Sequence, residues 1–125
     1  MSISTMTDLM TELKRSEKEG HLVFLSATAQ WCHSSQLLQP SYQAMLKHWR
    51  HIGVSINAIE FDIDQARQIS TYFNVEQAPS FICLLPKPHA TLTKKELRWR
   101  GSDSVGLAHW MNTIMQKWLS CNKIK

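Results

Sequence analysis

Cys32, Cys83 and Cys121 are the three thiols of this 125-residue chain. An odd number cannot close an intramolecular disulfide framework, so at least one thiol is free or reserved for another molecule. Cys32 is the one placed for chemistry. A helical pattern begins at about residue 32. A sulfur in the first turn of a helix meets unpaired backbone N–H groups and the positive end of the helix dipole, which favour the thiolate, the reactive form of cysteine. His33 follows directly and, when protonated, favours the thiolate further. Ser35 lies one turn on, where its hydroxyl can donate to the sulfur but cannot be oxidised with it.

Such a thiolate attacks a disulfide to give a mixed disulfide, and expelling the product within one protein needs a second thiol nearby. Cys32 has none within sequence reach. Cys83 falls among Phe81, Ile82, Leu84 and Leu85, the surroundings of a small core residue. Cys121 falls in a C-terminal tail beside Asn122 and Lys123, where an exposed, incidental thiol is expected. A mixed disulfide on Cys32 is expected to persist until glutathione or the substrate's own second thiol attacks it. That is the chemistry of isomerisation, deglutathionylation or covalent capture. The alternative is an inert cysteine on a non-catalytic adaptor or chaperone-like module that binds a protein partner.

The elements that position Cys32 follow from hydrophobic periodicity. Met6, Leu9, Met10 and Leu13 recur at helical spacing between Thr7 and Glu19, and Gly20 stops that helix. His21 to Ala27 is a short, nearly continuous apolar run, which suits a strand covered on both faces. The helix from about Cys32 to Trp49 contains Pro40, which predicts a kink. Val54 to Phe61 reads as a strand, Gln65 to Phe73 as a short helix after the Asp62-Ile63-Asp64 turn, and Ser80 to Leu85 as a strand after Pro79. Beyond Pro86 and Pro88, Leu92 to Arg100 reads as its antiparallel partner; Gly101 turns the chain, and Ser102 or Asp103 caps a last helix. This alternation predicts an α/β domain, a mixed sheet with helices on both faces.

That order, with Trp31-Cys32-His33-Ser34-Ser35 at a strand-to-helix turn, Pro40 in the next helix, Phe61-Asp62-Ile63-Asp64, Ala78-Pro79-Ser80 and Gly101 before the last helix, resembles thioredoxin from about Leu9 to Trp118. The resemblance implies a thioredoxin-like fold with a four- or five-stranded sheet, a cis Pro79, and substrate alignment along the exposed backbone of Ala78 with Trp31 on the rim. Two departures stand against it. The redox motif of the family is Cys-x-x-Cys, whereas Ser35 makes this one Cys-x-x-Ser. The family also carries a buried acid in the strand ahead of the nucleophile, where this chain has Ser26, and Glu60 stands where thioredoxin has a lysine partner for that acid. The resemblance therefore implies a monothiol protein with Cys32 as nucleophile and His33 and Ser35 as thiolate stabilisers. A histidine also occurs within the disulfide-isomerase motif, one place later than His33.

With 43% hydrophobic and 19% charged residues, four Gly and four Pro, the composition is globular, and the length suits one domain over residues 1–125 with its core at about 7–119. The net charge of +4 is a mild excess that reads as a solvated basic surface rather than a nucleic-acid-binding one. Lys87, Lys94, Lys95, Arg98 and Arg100 face only Glu96 in opposition, which reads as a protected edge strand or as a docking patch for an acidic partner. Met1 to Gly20 is rich in charge, without a signal-like or membrane-spanning run, which predicts a cytoplasmic, reduced protein away from membranes. His48 and His51 read as a solvated helix end rather than metal ligands; no metal or cofactor is expected, with glutathione as a possible co-reductant.

Overall fold

The computed structural model describes residues 2–84, 96–101 and 103–123, with Glu96 and residues 120–123 as backbone only. The elements run α1 (Met6–Glu19), β1 (Leu22–Thr28), α2 (His33–His51), β2 (Ile56–Asp62), α3 (Arg67–Tyr72), β3 (Ser80–Leu84), β4 (Glu96–Arg100) and α4 (Ser104–Lys123). The sheet has four strands in the order β2-β1-β3-β4. β1 pairs in parallel with β2 and antiparallel with β3, and β3 pairs antiparallel with β4. The predicted class, element order and strand pairing are all present. Lys87, Lys94 and Lys95, and Ser102 as a helix cap, lie outside the described residues.

The apolar run of β1 has a direct cause: the strand is central in the sheet and covered on both faces. Alternation divides its side chains between two cores. Val23, Leu25 and Ala27 join Leu9 of α1, Ile69 of α3, and Ile59 and Phe61 of β2. Leu22 and Phe24 join Leu38, Tyr42 and Leu46 of α2, Phe81 and Cys83 of β3, and Leu107, Met111 and Met115 of α4. The fully buried Phe24, Phe61, Phe73 and Phe81 each contribute about 1.5–3 kcal/mol through removal from water. Trp49 and Trp118 are buried in the second core, and Trp110 meets Phe24 edge-on with centroids 6.0 Å apart, so these indoles serve packing.

The helix ends are set by local chemistry. Thr5 Oγ1 accepts the Asp8 N–H at 3.1 Å to begin α1, and Gly20, at φ 74°, ends it in the left-handed region that favours glycine. Asp103 begins α4 by accepting the amides of Val105 and Gly106 at 3.0 and 3.2 Å. α4 runs on past Cys121, so the backbone there is helical, where sequence reading placed a tail. The N-terminal segment extends the sheet by a single bridge: the Ile3 N–H donates to the Glu60 carbonyl at 2.9 Å. His48 and His51 are exposed at the end of α2. Among the described residues no helix is long and apolar enough to cross a membrane.

For the site, the end of the sheet where β1, β2 and β4 finish and β3 begins matters most. There Thr28 pairs with Asp62, while Ala27 pairs with Ser80 and Ser80 with Arg100.

Candidate functional site

After Thr28 the chain leaves β1 and turns tightly, the Cys32 N–H donating to the Ala29 carbonyl at 3.0 Å. Cys32 is the N-cap of α2, in extended backbone at φ −93° and ψ 106°. An N-cap side chain faces the unpaired amides of the first helical turn, and here that side chain is a thiol. The Ala78–Pro79 peptide is cis, and the Ala78 carbonyl lies 3.3 Å from Cys32 Sγ, accepting its hydrogen bond. Two segments distant in sequence thus meet at the sulfur, as the resemblance implied. Trp31 is 67% exposed beside them, on the rim.

The Cys32 thiol lies below its ordinary range, first through the Ser35 hydroxyl, with the Ser35 and Ser34 amides adding to the effect and burial opposing it. Cys32 is covered, at 8% exposure, but lies shallow beneath the surface, so burial is the weaker influence. While the thiol donates to Ala78, Ser35 Oγ, in a residue only 3% exposed, has no hydrogen-bond partner. When Cys32 ionises, that hydroxyl is placed to turn its proton to the sulfur. His33 is exposed on the first turn of α2, and the groups that lower the thiol through hydrogen bonds are Ser35 and Ser34.

Cys83 sits in the other core. It is fully buried on β3 opposite Phe24, in the cluster with α2 and α4, whereas Cys32 belongs to the cluster on the opposite face with α1 and α3. Burial pushes its thiol well above the cysteine range. It is core, as expected, and cannot reach Cys32. Ser26, also buried and with an unpartnered hydroxyl, pairs in register with Glu60. A cleft of about 290 Å³ beside them is lined by Ser35, Gln36, Gln39, Glu60, Asp62 and Gln65, among others.

From the sequence alone Asp62 and Asp64 read only as a turn. In the structure they build the rim. Asp62 Oδ1 accepts the amides of Asp64 and Gln65 at 2.8 and 3.1 Å, and Asp64 Oδ2 accepts the Trp31 indole N–H at 2.6 Å. The signal was present, two acids at the C-terminal end of a strand that must lie beside β1, but only the parallel pairing of β2 with β1 tells which loop they face. On the other side, a cleft of about 300 Å³ runs from Gln77 and Ser80, the neighbours of Ala78 and Pro79, to Arg98 and Arg100 of β4.

The family model described as Thioredoxin matches residues 4–98. Thioredoxin domain-containing protein 8 of Rattus norvegicus is 24% identical over 62 residues, which take in 50% of this chain and 46% of the rat protein, so the match spans less than half of that relative's length. Among solved structures, a poplar thioredoxin h mutant superposes with a TM-score of 0.75 at 18% identity, covering 92% of this chain and 81% of that one. Fasciola hepatica thioredoxin superposes at 0.70 with 21% identity, covering 90% and 96%. At these identities the structural likeness speaks for the fold alone.

Proposed function

The chain belongs to the thioredoxin family, and on that premise we propose that it acts by thiol–disulfide exchange through Cys32 as a monothiol protein, not as an efficient dithiol reductase. The observation that carries this reading is the surroundings of one sulfur: Cys32 caps α2 with Ser35 one turn away, while Cys83 is sealed in the core across the sheet. The Cys32 thiolate attacks one sulfur of R–S–S–R′, forming a Cys32–S–S–R bond and releasing R′–S⁻, which takes a proton from water. A thiolate from glutathione, or from the substrate's second cysteine, then attacks the mixed disulfide and expels Cys32 as thiolate. Where R is a glutathionyl group, the first co-reactant completes deglutathionylation and leaves as glutathione disulfide; the second closes a new disulfide within the substrate, which is isomerisation. No resident metal or cofactor takes part in either step.

In this scheme Ser35 stabilises the attacking and leaving thiolate, and protonated His33 adds charge at the first turn of α2. The Ala78 carbonyl and the cis Pro79 align an extended protein substrate, and Trp31 offers apolar contact from the rim. The lowered thiol and the sealed Cys83 suit a reducing compartment such as the cytoplasm. A second reading, a non-catalytic adaptor that binds an acidic or apolar partner on this face, is favoured by the exposed Trp31 indole and by the arginines of β4.

Incubation with glutathione disulfide followed by intact-mass measurement tests the proposal. In a Cys121→Ser background, which removes the other thiol expected to be exposed, a single adduct on Cys32, released by reduced glutathione and absent when Cys32 is also replaced by Ser, is the expected result. Reduction of insulin at the rate of a Cys-x-x-Cys protein without added thiol would sink the monothiol mechanism. Undiminished partner capture and biological activity in Cys32→Ser would favour the adaptor.

A further inference from the structure

Cys32 lies between two poles of opposite charge. Strands of one sheet are about 4.8 Å apart, so the backbones of Asp62 at the end of β2 and Arg100 at the end of β4, three strand spacings away in the order β2-β1-β3-β4, stand about 14 Å apart across the sheet end; alternation turns Asp62 toward the α2 face and Arg100 toward the α1 and α3 face, so the line between the two charges crosses the sheet end diagonally. Cys32 follows β1, and its sulfur touches the Ala78 carbonyl just ahead of β3, which puts it over the middle two strands. On the β2 side, the cleft with Glu60 and Asp62 has no lysine, arginine or histidine in its lining among the described residues, and Asp64 adds a further carboxylate on the rim, with Arg67 beside it as an opposing cation. On the β4 side, the cleft that begins at Gln77 and Ser80 carries Arg98 and Arg100 against Glu76. Arg100 is exposed.

We propose that this polarity selects and orients the substrate: Cys32 prefers a disulfide cysteine in an extended segment with a carboxylate on the β4 side and a cationic side chain on the β2 side. The inference rests on the exchange chemistry proposed for Cys32 and adds to it a class of substrate. At about 3.3 Å per residue, an extended chain spans 14 Å in about four residues, so the selecting charges lie about two residues either side of the attacked cysteine. Arg100 is the specificity-determining residue on one side, and the carboxylates at the end of β2 act on the other.

Four peptides, each with one cysteine as a mixed disulfide with a thionitrobenzoate reporter, test this. They carry glutamate before and lysine after the cysteine, lysine before and glutamate after, glutamate on both sides, or lysine on both sides, each two residues away. For the unmodified protein at low salt, one of the two mixed orders is expected to react fastest and the reverse order slowest. A difference of about tenfold follows from two exposed charge pairs that each change from attraction to repulsion. It should shrink toward unity at about 1 M salt, where the screening length is about 3 Å. In Arg100→Glu both poles become acidic, so the peptide with two lysines is expected to become fastest and the two mixed orders to converge. Equal rates for the two mixed orders, or an order unchanged by Arg100→Glu, would overturn the inference while leaving exchange at Cys32 intact. Failure of all four peptides to release the reporter would overturn both.

Discussion

Replacing Ser35 with Ala removes the largest single influence that lowers the Cys32 thiol and leaves the backbone amides in place. A hydrogen bond to a charged group is worth about 1.5–3 kcal/mol in a dry site. Cys32 lies close to solvent, so a discounted figure of about 1 kcal/mol is appropriate, about a fivefold change in the ratio of thiolate to thiol. The nucleophilicity of a thiolate rises with its basicity by a Brønsted slope of about 0.4–0.5, which returns about twofold. Ser35→Ala is therefore expected to alkylate about 2.5-fold more slowly than the unmodified protein where the thiol form predominates, and about twofold faster where both are fully ionised. The assay is the rate of Cys32 carboxamidomethylation with iodoacetamide from pH 5 to 10, in a Cys121→Ser background and read by intact mass. The signature is a crossing of the two profiles, with the midpoint of the variant at higher pH. Because Ser35 Oγ has no partner while the thiol donates to Ala78, its loss should leave the melting temperature nearly unchanged. Superimposed profiles, or a variant midpoint at lower pH, would refute the role given to Ser35.

Cys83→Ser is expected to cost about 1–3 kcal/mol in urea unfolding, because it places an unpaired hydroxyl in a fully buried site; Cys32 alkylation should be unchanged, and an effect on it would break the separation of the two cores. Because folding lowers the Cys32 thiol, the unfolded chain binds the proton more tightly, so the stabilisation due to Cys32 is present above the unfolded value and fades as pH falls through the folded one. The melting-temperature advantage of the unmodified protein over Cys32→Ser should thus grow from pH 6 to pH 9; Cys83 and Tyr42, raised by burial, occur in both proteins and cancel. Ser35→Cys supplies a second thiol one turn from Cys32 and is expected to turn on insulin reduction with dithiothreitol as reductant; no gain over the unmodified protein would place the block elsewhere than at position 35.

The fold was legible because its strongest signals are periodic and independent of distant contacts. The nearly continuous apolar run at His21 to Ala27 suits a strand buried on both faces, and its shortness and position after Gly20 favour that reading over a buried helix. Boundaries shifted where a single polar residue decides them: the short helix begins at Arg67 rather than Gln65, after Asp62 and Ala66 have tied the turn together. At the site, Cys32, Ser35, Ala78 and Pro79 were legible from type and order. Asp64 was not, since its role depends on the Trp31 indole reaching across from another loop at 2.6 Å. Nor was the charge order across the sulfur, because Arg100 and Asp62 lie on strands that are not neighbours and only the strand order places them on either side of it.

Ser26, Ser35 and Glu60 also form a set that single positions do not reveal. A second thiol at position 35 must lose its proton to resolve a mixed disulfide, and a carboxylate at position 26 is where the family resemblance puts the acceptor. Ser26 is buried and cannot take that proton, while its partner in register is Glu60, half-buried in the cleft that Ser35 lines. An acid restored at 26 would stand opposite a second acid on the adjacent strand, and like charges in that arrangement are destabilising and hold one carboxyl protonated. A glutamate at 60 is thus compatible with serine at 26 and incompatible with an ionised acid there, and a serine at 35 makes no demand for either. The three residues are mutually consistent with the monothiol exchange proposed for Cys32.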